Sequence, residues 1–134
     1  MTVKSSAPLH VLIVDDNEAD RVLYKRLLGR NTQYEFAFSD AEAGDGALER
    51  MSEQRPDCVL LDYHLPDCYG LELVAYPAFA KYKVPVVMLT GLGSVAIARD
   101  AMNAGVHACL NKRNVTGDTL LSSIVDAISS SELA

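Results

Sequence analysis

Five short apolar runs punctuate the chain, and longer segments of helical period separate them. HVLIV (10–14) has the continuous hydrophobicity of a strand buried on both faces, and YEFAF (34–38) alternates more, as an edge strand does. CVLLD (58–62), VPVVMLT (84–90) and VHACL (106–110) complete the set. EADRVLYKRLLG (18–29) places Val22, Leu23, Arg26 and Leu27 on neighbouring turns, with Gly29 as its stop. EAGDGALERMSEQ (42–54) is a weaker helix, since Gly44 and Gly46 each cost it up to about 1 kcal/mol. GLELVAYPAFAKY (70–82) begins as a helix that Pro77 should kink or end, because proline removes a hydrogen bond and clashes with the preceding turn. SVAIARDAMNAG (94–105) is a helix closed by Gly105, and DTLLSSIVDAISS (118–130) is a final amphipathic one.

Strands that alternate with helices and lack a polar face predict an α/β fold: a five-stranded parallel sheet covered by helices on both faces. Right-handed crossovers leave few topologies, and the doubly wound order 2-1-3-4-5 is the one expected. A chain of 134 residues suits one domain, 9–131, after an N-terminal tail, 1–8. The last helix ends within a few residues of Ala134, so no output domain is expected.

Composition narrows the function. Hydrophobic residues make up 49%, enough for a sizeable core, and the formal net charge of -6 argues against a protein that grips nucleic acid or anionic lipid through a basic face. No apolar run approaches the roughly 18 residues of a membrane span, and the first ten residues lack the apolar core of a secretory signal. The three cysteines have no metal-like spacing and fit a reduced, cytoplasmic setting. Cys58 and Cys109 fall in apolar runs and read as core filler, whereas Cys68 falls in a loop. His10 and His107 lie in or beside strands and read as structural residues.

In doubly wound sheets ligands bind beyond the carboxyl ends of the strands, where the winding reverses. The residues there are Asp15 and Asp16, Asp62, Thr90 and Lys112. Each has a bland reading alone: Asp15 or Asp16 caps the next helix, Asp62 opens a turn, Thr90 fills a strand, Lys112 is a solvated loop lysine. Together they place three acids, a hydroxyl and a lysine on one edge. Two carboxylates about 4 Å apart repel by roughly 4 kcal/mol at an effective dielectric near 20, so such a group has raised pKa values or holds a cation. All-oxygen ligation favours a hard ion such as Mg²⁺. A carboxylate between a metal ion and a lysine can attack phosphorus, because both cations neutralise the transferring group. Asp62, on the central strand, is the best nucleophile.

VLIVDDNEADR, LLDYHLPDCYGLEL, VVMLTG and ACLNK, in that order, resemble the receiver domain of two-component response regulators over essentially the whole chain. The resemblance implies that Asp62 accepts a phosphoryl group from a histidine kinase or a histidine phosphotransfer protein, with Mg²⁺ required. It implies metal ligation by Asp16, Asp62 and the backbone carbonyl of His64, with Asp15 acting through a metal-bound water. Thr90 is then the hydroxyl that closes on the phosphoryl oxygens, and Lys112 pairs with them. The same resemblance implies a protein target downstream, engaged through the fourth helix, fifth strand and fifth helix, roughly 94–130. It allows a phosphorylation-dependent dimer, and implies no direct contact with nucleic acid or membrane. Catalysis is confined to weak self-phosphorylation and self-dephosphorylation.

Four positions depart from that pattern or vary within it. Cys109 stands where an aromatic residue often turns inward on activation, so a rotating-ring switch is not expected. Arg113 replaces the usual proline after the lysine; a cis bond before a non-proline residue costs roughly 2.5–4 kcal/mol, which predicts a trans Lys112–Arg113 peptide and a different, extended loop. His64 and Leu92 occupy the two positions that tune phosphoryl lifetime, and Leu92 cannot orient an attacking water. Three rival functions are weaker. A haloacid-dehalogenase-type phosphatase wants a second aspartate where His64 stands, and DDNEAD would repel the phosphate of a flavodoxin-like cofactor. A receiver-like module that no longer takes phosphate is at odds with the presence of all five expected side chains.

Overall fold

The computed structural model describes residues 7–91 and 95–133. Its elements run β1 Leu9–Val14, α1 Glu18–Gly29, β2 Phe36–Ala41, α2 Gly44–Glu53, β3 Cys58–Asp62, α3 Gly70–Ala75, α4 Pro77–Ala80, β4 Val86–Thr90, α5 Val95–Asn103, β5 Ala108–Asn111 and α6 Gly117–Leu133. The strands form one parallel sheet in the order β2-β1-β3-β4-β5, as the apolar runs predict.

Alternate residues of each strand feed two separate cores. On one face Val11, Ile13, Leu60 and Leu89 pack with Tyr24 and Leu28 of α1 and with Leu120 and Ile124 of α6. On the other, Leu12, Val14, Leu61 and Met88 pack with Met51 of α2, Leu73 of α3, Phe79 of α4 and Ala101 of α5. Burial on both sides is why β1, β3 and β4 carry no polar alternation. The same parity carries to the strand ends: Asp15, Asp62 and Lys112 continue the α1–α6 side, while Thr90 continues the other.

Three local expectations change. The second strand lies two to three residues later than YEFAF suggests, because its register is set by pairing with β1 from Leu9↔Phe36 to Val14↔Ala41. In α1 the inward positions are Arg21, Tyr24 and Leu28, and Val22 and Leu23 are exposed. Arg21 turns inward because its guanidinium finds Asp40 at 2.9 Å and the Asp15 carbonyl at 2.6 Å. The last strand starts at Ala108 rather than Val106. Pro77 does what its ring requires: α3 stops at Ala75 and a new turn starts with the proline at its first position. Cys58 is fully buried and Cys109 packs against the core, both as expected. His10 is likewise structural, its Nε2 2.8 Å from Ser39 Oγ. Among the described residues no helix is long and apolar enough to cross a membrane.

Candidate functional site

The β1–α1 turn brings the acidic pair to the sheet edge. Asp15 is buried, and its N–H donates to the Ala41 carbonyl at 3.0 Å. Its Oδ1 accepts from Asn17 N–H at 2.9 Å, leaving Oδ2 aimed at the site. Asn17, not either aspartate, caps α1, accepting from Asp20 N–H at 3.0 Å. That removes the bland reading of the acidic pair. Arg21 braces the arrangement from below through the Asp15 carbonyl.

Asp62 ends β3, 8% exposed, and the following backbone is fixed by Tyr63 N–H donating to Leu89 O at 2.8 Å. The next eight residues fold back on themselves. Gly70 N–H donates to Tyr63 O at 2.6 Å and Leu65 N–H to Cys68 O at 3.0 Å, closing an antiparallel bridge between His64 and Tyr69. Flanking residues make both bonds of that bridge, so the His64 carbonyl is not spent on Tyr69, and its N–H turns to Asp62 Oδ1 at 3.3 Å. The rings of Tyr69 and His64 meet edge to face, and Tyr69 also lies against Tyr63. At the tip of the loop Asp67 accepts from the N–H groups of Gly44 and Asp45 at 2.8 and 3.0 Å, capping α2 from outside that helix. These bonds hold the Asp67 carboxyl below its ordinary range, the Gly44 bond most of all.

Lys112 arrives from β5, its N–H donating to Thr90 O at 2.9 Å, so the buried Thr90 and the lysine leave the sheet side by side. The Lys112 ammonium lies 2.9 Å from Asp15 Oδ2, 3.0 Å from Asp20 Oδ2 and 3.3 Å from Asp62 Oδ2. Burial alone would lower its pKa; Asp15, Tyr24 and Asp20 outweigh that and raise it, so the ammonium is charged at any ordinary pH. Asp62 is raised, first by burial and then by the charge of Asp15, with Lys112 and the His64 N–H pulling the other way. Tyr24 lies buried on this side with no hydrogen-bond partner for its hydroxyl among the described residues, and burial raises its pKa.

One carboxylate oxygen from each of Asp15, Asp16 and Asp62 lies within 4.8 Å of the others. Three hard oxygens, one on an exposed side chain, fit a small divalent cation that keeps several waters, which is the habit of Mg²⁺. The structure thus brings Asp15, Asp16, Asp62 and Lys112 together, with the Thr90 backbone bonded to Lys112 and the His64 N–H turned to Asp62. Leu92 lies outside the described residues, as does the first residue of the expected 94–105 helix. The Lys112–Arg113 peptide is trans. Cys109 is half-buried against the core on the Thr90 side of the sheet, where it supplies no ring to rotate.

Sequence reasoning missed Asp20, Arg21 and Asp67. Only Asp20 left a signal: it stands four residues after Asp16 in the first turn of the helix that leaves the site. The side-chain partner of Arg21 stands 19 residues away and the partners of Asp67 stand 22–23 away, which no local pattern reports.

The profile of the response regulator receiver domain matches residues 11–125. The chain is 32% identical over 111 residues to a protein-glutamate methylesterase/protein-glutamine glutaminase of Anaeromyxobacter dehalogenans, covering 83% of this chain and 32% of that protein. It is 33% identical over 127 residues to the transcriptional regulatory protein GlrR of Escherichia coli, covering 95% and 28%. The chain therefore spans less than a third of these relatives. Among solved structures, a CheY-like receiver domain protein from Methanospirillum hungatei superposes with a TM-score of 0.77 at 26% identity, over 94% of this chain and 98% of that one. The signal receiver domain of a Luxo repressor protein from Vibrio parahaemolyticus shares the fold, with a TM-score of 0.81 at 24% identity over 95% of each chain.

Proposed function

The chain belongs to the response regulator receiver domain family, and from that premise we propose that it is a phosphorylation switch with Asp62 as phosphoacceptor. The observation that carries this reading is the Lys112 ammonium 3.3 Å from the Asp62 carboxylate, on the same rim as Asp15 and Asp16. Asp62 is favoured over its neighbours. Asp15 is already engaged by Asn17 and Lys112, and Asp16 is exposed and makes no ion pair with Lys112.

In the transfer, an Asp62 oxygen attacks phosphorus and forms the acyl phosphate bond. The phosphorus–nitrogen bond of a donor phosphohistidine breaks, its electron pair stays on the imidazole, and that nitrogen takes a proton from solvent. Lys112 pairs with one phosphoryl oxygen and the Thr90 hydroxyl donates to another. Asp16, Asp62 and the His64 carbonyl would hold Mg²⁺, with Asp15 reaching it through water; the ion supplies charge neutralisation at the transferring group. Hydrolysis proceeds by attack of water on phosphorus: the phosphorus–oxygen bond to Asp62 breaks, its electron pair stays on the carboxylate, and inorganic phosphate leaves. The Leu92 side chain has no polar atom with which to orient that water, so the acyl phosphate is long-lived.

A phosphoryl group adds about one and a half to two negative charges and strong acceptor oxygens beside Thr90. Movement of Thr90 towards it biases the surface of α5, β5 and α6, where Val95 and Met102 are exposed apolar side chains suited to a protein target or a second copy. Donors are a histidine kinase or a histidine phosphotransfer protein. The domain spans 9–131, and three unpaired cysteines fit a cytoplasmic setting. Incubation with acetyl phosphate and Mg²⁺ should add one phosphoryl group to the wild-type chain by intact mass, and none to Asp62→Asn. An unmodified wild type, or a variant modified equally, refutes the proposal.

A further inference from the structure

An ammonium has three N–H donors, and Lys112 faces three carboxylates. The donors are not shared evenly. Lys112 makes hydrogen bonds to Asp15 at 2.9 Å and Asp20 at 3.0 Å, whereas Asp62 stands at 3.3 Å as an ion pair. The lysine leans towards α1, away from the acceptor carboxylate.

We propose that Asp20 is a positioning residue that competes with the phosphoryl group for Lys112, and that phosphorylation of Asp62 expels Asp20 from the ammonium. The inference rests on the phosphoacceptor reading above. A phosphoryl group on Asp62 takes the donor that faces the Asp62 carboxylate, and its negative charge draws the ammonium away from the two closer partners, at the expense of one of them. The Asp15 side chain is 2% exposed, and stripping it of its cation would strand a buried charge. The Asp20 side chain is 32% exposed and regains water when released, so it is the partner that leaves. Asp20 also places a fourth carboxylate at a rim that must admit a phosphoryl dianion. Its charge opposes that approach.

The two half-reactions should respond differently. Before transfer, Asp20 holds the lysine, and its removal speeds phosphorylation. After transfer, Asp20 has already let go, so hydrolysis changes little. A partly exposed ion pair of this kind corresponds to a rate gain of about two- to fivefold. The gain should shrink at high ionic strength, where an exposed charge is screened.

The test compares wild type, Asp20→Asn and Asp20→Glu in three measurements: the initial rate of phosphorylation by acetyl phosphate with Mg²⁺, the decay rate of the purified phosphoprotein, and calorimetric affinity for beryllium fluoride with Mg²⁺. Thermal melts establish that each variant is folded. Asp20→Asn should be phosphorylated about two- to fivefold faster at low salt and bind the fluoride mimic tighter by the same factor, with decay within about twofold of wild type. Asp20→Glu, which keeps the charge, should remain near wild type. If wild type is phosphorylated but Asp20→Asn gains no speed, or if phosphorylation and decay change together, the competition is refuted and the phosphoacceptor reading stands. A wild type that takes no phosphoryl group overturns both.

Discussion

Gly70 lies directly against the backbone of Asp62: a Cβ added there would stand 2.6 Å from the Asp62 carbonyl oxygen and 3.1 Å from Met88 Cε. The start of α3 is thereby pressed onto the end of β3, and only a residue without a side chain permits it. Gly70→Ala must push the helix off the strand. It should cost about 1–3 kcal/mol in a urea melt and slow phosphorylation by acetyl phosphate, since the displaced backbone is that of the acceptor. An alanine variant with wild-type stability and rate would show that the contact can relax freely.

Asp67 ties the same loop to α2, which has no side-chain cap of its own. Asp67→Ala should cost about 1 kcal/mol at neutral pH. Its carboxyl pKa is lowered in the fold, so its contribution is present above the ordinary carboxylate value and is lost as pH falls through the folded one. Wild type and Asp67→Ala should therefore converge in stability in acid. A gap that persists unchanged at low pH would assign the loss to something other than the charged cap.

Asp62 has the opposite sign. Its pKa is raised in the fold by burial and by Asp15, so the folded chain keeps that proton longer than the unfolded chain. Stability falls as pH rises from the ordinary carboxylate value through the folded one, and the loss is complete above it. Without metal at neutral pH, Asp62→Asn should be more stable than wild type by about 1 kcal/mol, relief of the buried charge and of its repulsion with Asp15 outweighing the lost Lys112 contact. Equal or lower stability in chelator would show that Lys112 already balances the pair.

Added Mg²⁺ should reverse that order. Ten times its dissociation constant stabilises the folded chain by about 1.4 kcal/mol, seen as a rise in melting temperature that chelator abolishes. Asp16→Asn, which removes the exposed carboxylate of the acidic trio, should blunt the rise. An undiminished response in that variant would place the ion elsewhere.

The framework of the site was legible because strand ends in a parallel sheet fall on one edge, so Asp15, Asp62, Thr90 and Lys112 could be grouped from spacing alone. Where the sequence misled, a polar partner decided. Val22 and Leu23 look like a core face of α1, yet Arg21 occupies it, because Asp40 and the Asp15 carbonyl offset the burial of its charge. Tyr34 looks like part of a strand, but ladder pairing with β1 begins at Phe36 and runs on through Ser39 and Asp40. Hydropathy reports neither long-range ion pairs nor register. Asp20 illustrates the same gap, since its meaning comes from a lysine 92 residues away.

The most direct test maps the acyl phosphate itself. Borohydride reduces an aspartyl phosphate to the alcohol and leaves free carboxylates alone, so phosphorylated chain treated this way and digested should carry homoserine at position 62 in tandem mass spectra. Unreacted aspartate at 62, with homoserine at 15 or 16 or at no position, would contradict the assignment.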